Sequence, residues 1–211
     1  SAPVKMAISS AMAPNFSRFF MLTSSLTHGC LPILTSLAAR NKHFEKNTQT
    51  FSQKGSSLPK AVQIKVAARL LEELKAAEPA ESGEETLPLD GAEWLGWLRI
   101  PSLELPVQAE WSYPALKTSP CRYAGTPEEG LVIAAHNYEQ HFARFSLLTA
   151  GDAVEFTDVS GAVHRYTVMQ VETLAPTAVD EMTGGDWDLT LFTCTYSGQA
   201  RVTVRCVKTA G

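Results

Sequence analysis

Cys194 closes the run Leu189-Thr190-Leu191-Phe192-Thr193-Cys194, and Arg201 opens the run Arg201-Val202-Thr203-Val204-Arg205-Cys206. The six residues Thr195 to Ala200 between them can close a long hairpin. In an antiparallel pair Cys194 and Arg201 then lie opposite each other, while Arg205 sits roughly 13 Å further along at about 3.3 Å per residue. Both arginines face the same side, so distance alone selects Arg201 as the group beside the thiol. A cysteine acts as a nucleophile through its thiolate and needs a base or a positive field to form it. His136 is the candidate base. It follows the apolar run Leu131-Val132-Ile133-Ala134-Ala135, and strand ends beside loops commonly display reactive groups. Reference pKa values of about 8.5 and 6.5 leave most of an unperturbed Cys–His pair neutral at pH 7. A neighbouring arginine favours the thiolate and can also hold an oxyanion.

Each residue alone also has a bland reading. A cysteine after an apolar strand is more often packed core than nucleophile. Cys206 shares a face with Val202 and Val204 by the two-residue period and reads as inert core. Cys121, in Ser119-Pro120-Cys121-Arg122-Tyr123, has no functional reading. The cysteines at 30, 121, 194 and 206 form no Cys-x-x-Cys, which argues against a zinc ribbon or a thioredoxin-type site. His141 and His164 read as ordinary surface or core histidines. His136 and His141 could be written as a metal pair, but third and fourth ligands are not evident. Asn137 could orient an imidazole, although a residue adjacent in a strand points elsewhere.

The elements that must position these groups are short strands. The chain has 211 residues, a length for one domain with appendages. Apolar residues make up 45% and charged residues 19%, which excludes a wholly disordered or collagen-like chain. With 18 basic and 22 acidic residues, nothing points to a general nucleic-acid binder. Residues 1–57 read as a leader and linker. Their longest unbroken apolar run, Phe19 to Leu22, falls far short of the roughly 20 residues a membrane span needs. Residues 58–86 read as an amphipathic helix and acidic linker. Ser57 would cap the helix, Pro59 would sit in its first turn, and Val62, Val66, Leu70 and Leu74 form an apolar stripe widened by Leu71. Residues 87–211 read as a mainly β domain, with strands expected at 96–100, 103–108, 131–135, 153–157, 163–173, 188–194 and 201–208. Many short strands with few helices argue for a sandwich or closed barrel.

Taken in order, these segments resemble a sortase, a cysteine transpeptidase of Gram-positive cell surfaces. Thr190-Leu191-Phe192-Thr193-Cys194 is similar to the family's T-L-x-T-C signature, and Arg201 to Arg205 to its R-x-x-V-R strand. Val132 to Asn137 resembles the strand that carries the family's histidine. Phe145-Ser146-Leu147-Leu148 with Gly151-Asp152 resembles the segment that follows it. Gly96 to Pro101 and Leu103 to Val107 resemble the opening strands. The resemblance covers about residues 94–208. Ala135 replaces the usual glycine before the histidine, and the loop after Cys194 lacks the proline common in pilin-type relatives. His136-Asn137, Cys194-Thr195-Tyr196 and the N-terminal helix look nearer to class B members.

The resemblance implies a closed eight-stranded β-barrel with the groove on its wall. Cys194 would be the nucleophile, His136 the general acid/base and Arg201 the oxyanion or substrate-positioning group, with Thr193 helping to line the groove. It also implies cleavage of a short sorting motif through a thioester, resolved by an amine of a cell-wall precursor or of a pilin-like protein. No metal or organic cofactor is required for that chemistry. Membrane association would come only through an N-terminal anchor, at the extracellular face of the membrane. A cysteine hydrolase that uses water instead of the amine, and a non-catalytic surface-binding barrel, are the competing readings.

Overall fold

A computed structural model describes residues 60–80 and 85–209. The leader, the Ser57 cap and most of the acidic linker lie outside the described residues. Among those described, no helix is long and apolar enough to cross a membrane.

The chain runs through helix α1 (Lys60–Ala76), strands β1 (Leu87–Leu89), β2 (Ala92–Ile100) and β3 (Leu103–Gln108), and the one-turn helix α2 (Tyr113–Leu116). Strands β4 (Cys121–Ala124) and β5 (Leu131–Ala134) come next, then a 3-10 turn (Phe145–Leu147) and strands β6 (Ala153–Asp158) and β7 (Val163–Leu174). Helix α3 (Val179–Thr183) and strands β8 (Leu189–Cys194) and β9 (Arg201–Lys208) complete it. The strand order is β1-β2-β3-β4-β5-β8-β9-β7-β6, and β2 also pairs with β6. That last pairing closes strands β2 to β9 into an eight-stranded barrel, with β1 as a short outer addition.

Closure brings β2 and β6 backbones together at Gly96, which has φ +145°. A Cβ there would stand 2.0 Å from the Thr157 carbonyl oxygen, so only glycine fits. The barrel interior is filled by inward residues of β2, β3 and β5 to β9, among them Leu98, Leu105, Ile133, Phe156, Leu191 and Val204. Cys206 is part of this interior, as its alternation implied.

Helix α1 differs from its sequence pattern. Leu70 and Leu74 pack with Trp94 and Val159, and Val66 is partly buried against them, but Val62 is exposed. The stripe therefore meets the barrel only along the second half of the helix. Two strands were not expected. Strand β1 is joined to β2 by Asp90 and Gly91 at φ 51° and 78°, the left-handed pair of a tight hairpin turn. Strand β4 pairs with β5 through a register shift between Arg122 and Ala124.

Candidate active site

The site is assembled by register. Strands β5 and β8 run parallel, with Ala134 opposite Phe192. The Ala135 amide extends the ladder by donating to the Phe192 carbonyl at 3.2 Å. Two residues beyond Ala134 and Phe192, His136 and Cys194 leave neighbouring strands side by side. On the other flank β8 pairs antiparallel with β9, and the ladder ends at Cys194 opposite Arg201. Neighbouring strands lie about 4.8 Å apart and side chains alternate between faces. His136, Cys194 and Arg201 therefore form a row on the outer face of the barrel wall, with the thiol in the middle. The sequence reading supplied the Cys194–Arg201 opposition. The parallel pairing that delivers His136 is what the structure adds.

Two short helices flank this row. On one side Ser112 caps α2, its hydroxyl accepting from the Ala115 amide at 3.1 Å. The Gln108 amide holds the helix by donating to the Ala115 carbonyl at 3.2 Å and to Ser119 Oγ at 2.8 Å. On the other side α3 is pinned by Arg205, whose Nη1 donates to the Met182 carbonyl at 2.9 Å and to Thr190 Oγ1 at 3.1 Å. Arg205 Nε donates to Glu172 Oε1 at 2.7 Å. Arg205 is thus spent on architecture. Arg201, 1% exposed, donates through Nη1 to the carbonyls of Gly198 at 3.3 Å and Ala200 at 3.1 Å, fixing it to the hairpin loop.

Thr193 points to the opposite face from Cys194. It is buried, and its hydroxyl donates to the Ala135 carbonyl at 2.9 Å, so it ties the ends of β8 and β5 together. Cys121 lies in a second apolar cluster with Leu116, Ala134, Met182 and Phe192, outside the barrel interior, and its thiol donates to the Ser119 carbonyl at 3.5 Å. Two tyrosines join the site without having been legible in the sequence. Burial raises the Tyr113 phenol, and charge on Cys194 and Arg201 acts on it in opposite senses, so this first residue of α2 lies within electrostatic reach of both. The Tyr138 ring stacks on His136 at 4.6 Å between centroids. Among the described residues no cluster of three or more metal-ligating side chains is present.

A sortase-domain family model matches residues 98–209, over half of the chain. The chain belongs to the sortase family. As a sortase it is a cysteine transpeptidase acting on surface proteins. Its fold is shared with sortase C of Clostridium perfringens at 21% identity and TM-score 0.50, over 82% of this chain and 99% of that one. It is shared with sortase C1 of Streptococcus agalactiae at 19% identity and TM-score 0.52, over 87% and 93%. Sortase C of Streptococcus pneumoniae matches at 21% identity and TM-score 0.50, over 81% and 96%. No curated protein sequence matches the chain.

Burial sets the resting protonation of this sortase. Cys194 is only 4% exposed. Burial pushes its thiol up to about 12, with the positive charge of Arg201 opposing the rise. Burial also pulls His136 down to about 4, helped by the positive charge of Lys117. At pH 7 both groups are therefore neutral in the free protein. The arginine favours the thiolate, as expected, but desolvation outweighs it. Alkylation of Cys194 by iodoacetamide should accordingly be slow at pH 7. It should rise about tenfold per pH unit well beyond pH 9, because the thiolate is the reactive form. Peptide-resolved mass spectrometry reads this directly. A plateau near pH 8 would show an ordinary or depressed thiol.

Proposed function

We propose that Cys194 is the nucleophile, His136 the general acid/base and Arg201 the group that holds the oxyanion and positions the substrate. The row of these three side chains on adjacent strand ends is the observation that carries the reading. Cys194 Sγ attacks the scissile carbonyl as its proton passes to His136. The charge that develops on the carbonyl oxygen is held by the Arg201 guanidinium, whose orientation the Gly198 and Ala200 carbonyls support. The C–N bond then breaks, His136 returns the proton to the leaving amine, and a thioester remains on Cys194. An incoming amine attacks the thioester and passes a proton to His136; the C–S bond then breaks, His136 returns the proton to the Cys194 sulfur, and a new amide is released. One difficult amide exchange becomes two easier steps. Thr193 was expected to line the groove, but its side chain is buried behind the wall, so its part is to tie the ends of β8 and β5 together rather than to touch the peptide.

The substrate is the sorting signal of a surface protein, cleaved in the manner of a thiol peptidase. The acceptor is an amine of a cell-wall precursor or of a pilin-like protein. Sortases are cell-surface enzymes of Gram-positive bacteria, and we place this one at the outer face of the membrane, held by an N-terminal anchor. His136-Asn137 and Cys194-Thr195-Tyr196 support a class B-like member.

The test offers a mixed library of sorting-type peptides with oligoglycine and an alkyl diamine, read by mass spectrometry. A thioester adduct on Cys194 and an amine-ligated peptide are the expected products. Cleavage with no ligation by either amine would favour a hydrolase. No adduct with any peptide would favour a binding barrel.

A further inference from the structure

We propose that Tyr138 is a positioning residue: its ring, stacked on the His136 imidazole, fixes that imidazole in place and stabilises the positive charge it carries while it holds the Cys194 proton. The inference deepens the reading of His136 as the acid/base group and rests on it. The contact is direct. The two ring centroids are 4.6 Å apart, with 29° between the planes. That is close to parallel, and within the roughly 6 Å over which an aromatic face attracts a cation.

The turn that carries Tyr138 is fastened at several points. The Phe142 amide donates to the His136 carbonyl at 3.3 Å, and the amides of His141 and Ala143 donate to the Tyr138 carbonyl at 2.9 and 3.1 Å. Phe142 and Phe145 stack with centroids 3.7 Å apart, and both belong to the barrel interior. His141, 2% exposed, lies against Tyr138 with centroids 5.5 Å apart. The backbone of Tyr138 is therefore tied to the wall by hydrogen bonds and a core anchor, and its ring is placed on the histidine rather than draped over it.

A positive charge at His136 is what the neighbourhood otherwise resists. Burial and the positive charge of Lys117 both work against the imidazolium. Arg201 adds another cation to the same row. The face of an aromatic ring is the negative end of its quadrupole and favours a cation over a neutral group. His136 is neutral in the free protein, so the stack contributes most when the proton arrives from Cys194. An interaction stronger in the transition state than in the ground state raises kcat rather than tightening binding. An aliphatic side chain could fill the same space but would bring no such preference.

The experiment places leucine, phenylalanine and a ring-trifluorinated phenylalanine at position 138 of the full chain. It reads peptide–amine ligation kinetics, thermal melting, and the ring-current shift of the His136 ring protons by NMR. Phenylalanine and its trifluoro analogue have nearly the same shape, but fluorine withdraws negative charge from the ring face. In Tyr138→Leu, kcat should fall about tenfold with KM within about twofold. Tyr138→Phe should stay within about twofold of the unaltered chain, because the ring face is kept. The trifluoro analogue should be about fivefold slower than phenylalanine while the His136 protons still show the stack. A ring that only fills space would give the two the same kcat. Equal turnover for that pair, a leucine variant within about twofold of the unaltered chain, or a phenylalanine variant as slow as leucine overturns the proposal. Should the leucine chain not fold, the pair of phenylalanines carries the test alone. His136→Ala separates the two readings. Retained turnover there overturns the acid/base assignment and the proposal with it, whereas lost turnover with a flat fluorine series overturns only the role of Tyr138.

Discussion

Cys194→Ala should form no thioester and ligate no peptide, with turnover lowered by about 10⁴-fold or more. The size of the loss follows from the mechanism. Alanine offers no nucleophile, and water in the same place has no strand geometry to aim it at the carbonyl. The barrel should survive the change. Cys194 ends its strand, and losing one sulfur from a packed site costs about 1 kcal/mol, as a modest core truncation does. Cys206→Ala gives the contrast. Its side chain lies in the barrel interior, so it should lower the melting temperature and leave adduct formation intact. Single-turnover mass spectrometry and thermal melts on both variants check this. A thioester recovered at another cysteine in the Cys194→Ala chain would overturn the assignment.

The two arginines of β9 should separate cleanly. Arg201→Ala should lower kcat by about 10²–10³, the usual cost of removing an oxyanion partner. Arg201→Lys should recover little of that, because a lysine lacks the planar fork that can engage loop carbonyls and an oxyanion together. Arg205→Met should act on stability. It leaves Glu172 without its partner and strips the donors from the Met182 and Thr190 oxygens. A loss of about 3 kcal/mol is expected for breaking such a buried pair from one side. Chemical denaturation and ligation kinetics on the three variants distinguish these effects. If Arg205→Met left stability unchanged and removed turnover, the roles given to the two arginines would be reversed.

The sequence was most legible where the signal was local. Strands 103–108 and 201–208 were read to the residue, because their apolar and polar positions alternate and turn residues bound them. The Cys194–Arg201 opposition was equally accessible, since six residues of hairpin join them. Strand β1 was missed despite its Asp90-Gly91 turn, because three residues are too few to show alternation. Strand β4 was missed because the shift between Arg122 and Ala124 breaks its period. Helices α2 and α3, which flank the site, are one turn long and cannot display a 3.6-residue pattern. The apolar stripe of α1 was visible, but nothing in it said that only the half from Val66 onward would meet the barrel. His136 could be read as the candidate base from its place after an apolar strand, but nothing local showed that this strand pairs with β8. Tyr113 and Tyr138 carried no sequence signal, because their importance lies in what surrounds them.

The parallel pairing of β5 with β8 also determines when the site exists. Ala135 and Thr193, joined by a hydrogen bond, are 58 residues apart. The β8–β9 hairpin is local and can form within microseconds. A contact that closes a long loop comes later, because its entropy cost must be met before it contributes stability. Thiol and arginine therefore meet early in the life of a newly made chain, and the histidine arrives only with barrel closure. During that interval Cys194 is an open thiol beside a cation, the state most susceptible to oxidation. Folding quenches it by burial. The finished barrel is in this sense a safety catch, keeping the thiol buried and protonated in the free protein.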